Sequence, residues 1–307
     1  MNITETNKTR IQALMKIASE QVAGIDSLSI QINDGFDIEP FVPYLINDQW
    51  PLAVDPLLIA DPNSEEDKTS RAHGILSIVV TDPVTGKFLD FGCGEGHVVA
   101  QVATTASLSV GYDPVQQGSW SNFKPASNMV FTTTWDDVVK RGPYDAILIY
   151  DVLDHLKDEA EAVDSLKKVK SVLTDNGKVY VRCHPWCSRH GTHLYLSVNK
   201  AYLHLCLSEK SLDALGYKYL HTIKVIHPLQ TYGKWLQSAG FDTPLSLNII
   251  PEGVEAFFKQ PALAALVKSN WKDSPEENFS SGKDYPEWQM RQQFVDYVLE
   301  NKKHIVV

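Results

Sequence analysis

From Lys87 onward the chain alternates short apolar runs with amphipathic stretches, and no other feature restricts the fold as much. The runs Lys87 to Phe91, Leu108 to Tyr112, Met129 to Thr133, Ala146 to Tyr150 and Lys178 to Cys183 have the length of strands. Between them, His97 to Thr105, Trp135 to Arg141 and Asp158 to Leu173 carry helical spacing, with Asn176-Gly177 expected to cap the last of these. When strands alternate with helices, each helix returns the chain to the same end of the sheet, so the strands run parallel and the helices cover both faces. The pattern therefore predicts an α/β protein with a doubly wound, mostly parallel, Rossmann-like sheet.

The flanks are less regular. Met1 to Ala23 reads as a helix, Ser27 to Ile32 as a strand, Asn33 to Asp67 as a loop-rich cap, and Lys68 to Val80 as a helix ending at the turn signal Asp82-Pro83. A long polar and aromatic insertion follows Cys183. Then come a helix at Gln230 to Ala239, a last strand at Leu245 to Ile250, and C-terminal helices at Gly253 to Trp271 and Glu287 to Lys302. The expected organisation is an N-terminal cap over 1–67, a central domain over 68–250 and a C-terminal helical extension over 251–307.

Composition narrows the partners. With 28 Lys+Arg against 38 Asp+Glu the net charge is −10, which disfavours a surface built to grip nucleic acid throughout, while a local basic loop stays possible. The first ten residues are polar and no apolar run reaches the roughly 18 residues of a membrane helix, so a cytoplasmic protein without membrane partners is expected. Four cysteines are too few for a disulfide scaffold, and reduced thiols are expected.

The chemistry concentrates at the end of the first strand, in Asp90-Phe91-Gly92-Cys93-Gly94-Glu95-Gly96. Glycines between a strand and a helix let the chain turn tightly and let a ligand approach the backbone. The dinucleotide fingerprint is G-x-G-x-x-G, whereas His97 follows Gly96 here and the spacing is G-x-G-x-G. Asp-x-Gly-x-Gly-x-Gly resembles the first motif of the class I S-adenosylmethionine-dependent methyltransferases. The resemblance continues in Gly111-Tyr112-Asp113-Pro114, with an acid 23 residues after Asp90. It continues again from Tyr144 to Leu156, similar to the family's fourth motif, and in Asn176-Gly177-Lys178-Val179-Tyr180-Val181 before the fifth strand. It spans about Lys68 to Ile250.

The resemblance implies S-adenosyl-L-methionine as cofactor. Asp90 would orient the loop and the amino-acid end, Gly92, Cys93, Gly94 and Gly96 would shape the pocket, and Asp113 would hold the ribose beside Tyr112. Tyr150, at the end of the fourth strand, would join the cofactor set. The acid that many members use for the adenine amino group is matched here by Asp136, with Thr134 as the alternative, and Trp135 would wall the adenine or pack in the core.

At the fourth strand Tyr150-Asp151-Val152-Leu153 carries neither the Pro-Pro of amino-methylating nucleic-acid enzymes nor the Pro-Cys of cytosine C5 enzymes. An oxygen, nitrogen or carbon acceptor handled without a covalent intermediate remains. Asp151 and His155 are four residues apart and would share a face if the chain turned helical there, which makes them the catalytic candidates. His155 could equally contact the cofactor without moving a proton. Beyond the fifth strand, Arg182, His184, Trp186, Arg189, His190, His193 and Lys200 form a locally basic, aromatic segment, read as an acceptor-binding loop suited to an anionic small molecule. Cys183, Cys187, His190 and His193 are enough ligands for zinc, but their spacing matches no zinc module and no metal is assigned. Methylation of RNA or a nucleotide, and cofactor binding without methyl transfer, are the competing readings; a homo-oligomer is compatible with all of them.

Overall fold

The computed structural model describes residues 52–53, 64–156, 158–185, 188–189, 199–202, 204, 229–242, 246–251 and 292–301. The expected elements at Met1 to Ala23, Ser27 to Ile32 and Gly253 to Trp271 lie outside them.

The expected sheet forms. Strands β1 (Lys87–Phe91), β2 (Leu108–Tyr112), β3 (Met129–Thr132), β4 (Tyr144–Tyr150), β5 (Leu173–Cys183), β6 (Ser246–Pro251) and β7 (Gln292–Glu300) make one seven-stranded sheet in the order β3-β2-β1-β4-β5-β7-β6. The pairs β1 with β2, β1 with β4, β2 with β3 and β4 with β5 are parallel; β7 runs antiparallel to β5. Helices α1 (Glu65–Ile78), α2 (His97–Val102), α3 (Trp135–Arg141), α4 (Glu159–Ser171) and α5 (Leu229–Ser238) accompany it.

Side chains alternate along each strand, and this divides the core into two layers. Phe88, Ala146, Leu148, Tyr180 and Val298 pack with Ala72 and Val79 around α1 and with Val98 and Val102 of α2. Their neighbours Leu89, Phe91, Ile147, Ile149, Val179 and Val181 pack instead with Val138 of α3, Leu166 and Val169 of α4 and Tyr232, Trp235 and Leu236 of α5. Ser64 caps α1 by accepting from the Asp67 amide at 3.1 Å, and Asp158 caps α4 by accepting from the Glu161 amide at 2.9 Å.

Two expectations are corrected. The segment expected as a helix from Glu287 to Lys302 contains strand β7. It lies between β5 and β6, with Tyr297 and Leu299 buried in one layer and Val298 in the other, so the apolar run 297–299 spans both faces and loses the period that separates a strand from a buried helix. Asn176-Gly177 is not a helix cap: α4 ends at Ser171, and the pair lies in the irregular first part of β5, where the register with β4 shifts between Tyr144 and Ala146.

The chain divides into two compact units, one made of Met1–Ala60, His184–Pro228 and Ile250–Phe294, the other of Asp61–Cys183, Leu229–Ile249 and Val295–Val307. In the first, Arg189 donates from Nε and Nη2 to the Leu52 carbonyl oxygen, and the Tyr202 amide donates to the Arg189 carbonyl at 2.9 Å. His184, Ser188, Asn199, Lys200 and His204 are all buried there.

In the second unit, Arg182 and Asp296 face each other across β5 and β7 as a two-pronged ion pair, with both N···O distances 2.6 Å and each residue 5% exposed. Removing one member leaves a buried charge unanswered. Asp296→Ala should lower unfolding stability by about 3–5 kcal/mol, read from the midpoint of a urea transition.

Candidate active site

The order β3-β2-β1-β4 places β1 between two parallel neighbours whose connections leave in opposite directions, the position at which open α/β sheets bind ligands at their carboxyl ends. The glycine loop leaves the sheet at this point. Gly92 has φ +80, its amide donates to the Tyr112 carbonyl at 2.7 Å, and a Cβ on it would lie 2.5 Å from Val152 Cγ2 at the exit of β4. Glycine is required there both for conformation and for space. Gly94 has φ +47 and open space where a Cβ would project, so the loop exposes a stretch of uncovered backbone.

Asp113 is tied to that loop. Its Oδ2 accepts from the Gly94 amide at 3.1 Å and its Oδ1 from the Val115 amide at 2.9 Å. A carboxylate offers about four lone-pair sites, so each oxygen keeps acceptor capacity for a diol. Asp90 lies at the end of β1 and is 4% exposed. Burial, followed by the negative charge of Asp113, pushes its carboxyl up to about 7. A cationic amine brought beside it would answer both effects. An open backbone cradle, a buried carboxyl short of positive charge and a second carboxylate with lone pairs to spare fit a ligand carrying an ammonium group and a vicinal diol. Between the two acids, the half-buried Cys93 thiol is pushed far up by burial and by both carboxylates, which keeps it protonated.

Tyr150 ends β4 with the Arg182 guanidinium carbon 5.7 Å and the Arg71 guanidinium carbon 6.0 Å from its ring centroid, and burial raises its hydroxyl. Tyr112 and Trp135 meet edge-on at 5.5 Å and both contact the Phe91 ring, so these two expected cofactor contacts pack against the α3 and α4 layer. Asp136 is exposed in the first turn of α3.

Asp151 has φ +50, and its amide donates to the Arg182 carbonyl at 3.0 Å. The chain then makes only a 3₁₀ turn, Leu153–His155, so the helical spacing that would put Asp151 and His155 on one face is not adopted. His155 is half exposed, with Nε2 4.0 Å from the buried Asp154 carboxylate. Arg182 is engaged by Asp296, and Trp186, His190 and His193 lie outside the described residues, as does Cys187 of the zinc-like set.

A protein-family profile described as a methyltransferase domain matches residues 65–244. The chain belongs to the class I S-adenosylmethionine-dependent methyltransferases. No curated protein matches this methyltransferase. Among solved structures it is similar to a proposed S-adenosylmethionine-dependent methyltransferase from Listeria monocytogenes at 14% identity, covering 76% of this chain and 99% of that one with a TM-score of 0.48. A SAM-dependent methyltransferase from Archaeoglobus fulgidus matches at 14% identity over 80% and 97% of the two chains, TM-score 0.46. The N-methyltransferase NodS from Bradyrhizobium japonicum, bound to S-adenosylhomocysteine, matches at 12% identity over 81% and 93%, TM-score 0.45.

Sequence reasoning passed over the groups of this methyltransferase that hold the loop from outside. Lys68 pairs with Glu95 at 3.0 Å, His97 meets Glu65 at 3.0 Å, and the Trp120 indole donates to the Gly94 carbonyl at 2.8 Å. Glu95 fills a variable position of the glycine motif and the others lie outside any motif, so no sequence signal tells what each faces.

The raised Asp90 carboxyl has a testable sign. Between its ordinary value near 4 and the folded value of about 7, the unfolded chain has released a proton that the folded chain keeps, so the Asp90 contribution is fully present below pH 4 and is lost as pH rises to 7. In urea unfolding without ligand, Asp90→Asn should be less sensitive to pH than the parent across this window, by at most about 1.4 kcal/mol per pH unit. It should also exceed the parent in stability at pH 8.

Proposed function

We propose that this methyltransferase transfers a methyl group to a small-molecule acceptor at oxygen or nitrogen by direct displacement, and that the acceptor is anionic. The observation that carries the cofactor half of this reading is the Asp113 carboxylate, fixed by two backbone amides beside the open backbone of Gly94. S-adenosylmethionine, when bound, supplies a methyl group on a positively charged sulfur whose charge is lost in the displacement. Asp113 holds the ribose hydroxyls, Asp90 answers the amino group, and Gly92, Gly94 and Gly96 keep side chains away from the ligand. Tyr112, Trp135, Asp136 and Tyr150 complete the cofactor set.

The acceptor half rests on residue types. Asp151 and His155 lie just beyond the carboxyl end of β4, where an acceptor proton would be removed, and by sequence His184, Trp186, Arg189, His190, His193 and Lys200 are the residue types that would bind an anionic group. A nucleic-acid acceptor would use the same cations for phosphates. Among the described residues no helix is long and apolar enough to cross a membrane, and a cytoplasmic enzyme acting on a diffusible acceptor is the reading adopted.

The test begins with calorimetry. The parent should bind S-adenosylmethionine and S-adenosylhomocysteine, and Asp113→Ala should weaken both by about 10- to 100-fold, the loss expected for hydrogen bonds to a charged acceptor. Unchanged affinity would remove the ribose assignment. Methyl transfer to small anions that persists at 0.5 M salt would separate them from nucleic acid, whose binding falls steeply with salt.

A further inference from the structure

Gly94 is the loosest point of the glycine loop: its left-handed φ is one that glycine leaves easily, and among the described residues no atom lies within 4 Å of where a side chain would project. Yet both of its peptide groups are held. The amide points at Asp113, and the carbonyl oxygen accepts from the Trp120 indole at 2.8 Å. The next carbonyl, of Glu95, accepts from the Ser119 hydroxyl at 3.0 Å. Both donors come from the 3₁₀ turn Gly118–Asn122, which follows β2.

The indole is itself oriented. It stacks on Phe131 at 5.1 Å with 13° between the planes, Phe131 stacks on Phe123 at 5.6 Å, and Phe123 meets His97 edge-on at 5.2 Å. Phe131 in turn occupies the space a Cβ on Gly96 would need, with Cε1 2.5 Å from that position. An aromatic row built from β3, the 3₁₀ turn and the first residue of α2 thus sets the height and direction of one N–H group aimed at one carbonyl.

We propose that Trp120, assisted by Ser119, is a positioning residue for the cofactor: by holding the Gly94 and Glu95 carbonyls it keeps the Gly94 amide on Asp113 and the loop backbone open to the ligand. This rests on the reading of the glycine loop as the cofactor site. Without the indole N–H, the Gly94 to Glu95 peptide can rotate, and ligand binding must bear the cost of ordering it.

Two variants separate the donor from the row: Trp120→Phe keeps an aromatic ring in the row and deletes the donor, and Phe123→Leu disturbs the row but spares the donor. The probe is S-adenosylhomocysteine, read by calorimetry on the full chain. The expected result is a Kd about three- to tenfold higher for Trp120→Phe, the range of one net hydrogen bond, and a change within about twofold for Phe123→Leu. Hydrogen exchange should also speed up locally at the Gly94 and Glu95 amides of Trp120→Phe, with the thermal midpoint near that of the parent. An unchanged Kd for Trp120→Phe, or equal weakening by both variants, would overturn the proposal while leaving the cofactor site standing. A parent that fails to bind S-adenosylhomocysteine would overturn the site assignment and the proposal together. If Trp120→Phe does not fold, Ser119→Ala is read against the same control, with a two- to threefold weakening expected and no change overturning the proposal.

Discussion

The approach of two strand exits governs this site. At the end of β1 the backbone of Gly92 comes so near Val152 that no side chain fits between them, and Asp151, the residue before Val152, takes a left-handed conformation as the chain leaves β4. That closeness turns the glycine loop across the carboxyl edge of the sheet, where it meets Asp113 from β2. The pairing of β1 with β2, which sets Asp90 level with Gly111, brings Asp90 near enough to Asp113 for the two charges to act on each other. The chemistry of the edge is therefore set by packing before it is set by charge.

Charge then falls unevenly on the two faces of the sheet. Arg182 and Asp296 are cross-strand neighbours on the face that carries Tyr150, Tyr180 and Val298, and Arg71 of α1 reaches the Tyr150 ring from above. The other face, under α3, α4 and α5, is almost wholly apolar, with Tyr112 and Trp135 at its margin. A short, cooperative ion pair is tolerable where the neighbouring strand supplies both the partner and the register.

Most of this was legible in the sequence for a simple reason. Parallel strands and the helices between them have distinct periods, so β1 to β5 and α2 to α4 could be placed to within a few residues, and the acids and glycines at strand ends pointed to the candidate site. What escaped has equally simple causes. Strand β7 has apolar side chains on both faces over 297–299 and so looks like a buried helix, and Asn176-Gly177 has the chemistry of a cap but sits where β5 is still irregular. Trp120, Lys68 and Glu95 act through contacts between segments up to 27 residues apart, which no local pattern encodes. The left-handed turn at Asp151 was hidden because aspartate tolerates that conformation without requiring it.

The order in which the sheet can be completed follows from β7. It is the last of the described strands, but it takes an interior place between β5 and β6, and Asp296 lies 114 residues beyond the arginine it neutralises. On a growing chain, β1 to β5 are all made before the strand that pairs with this flank of β5 and supplies Asp296. An unpaired edge invites pairing with another chain. Completion of the sheet therefore waits on the segment that holds β7.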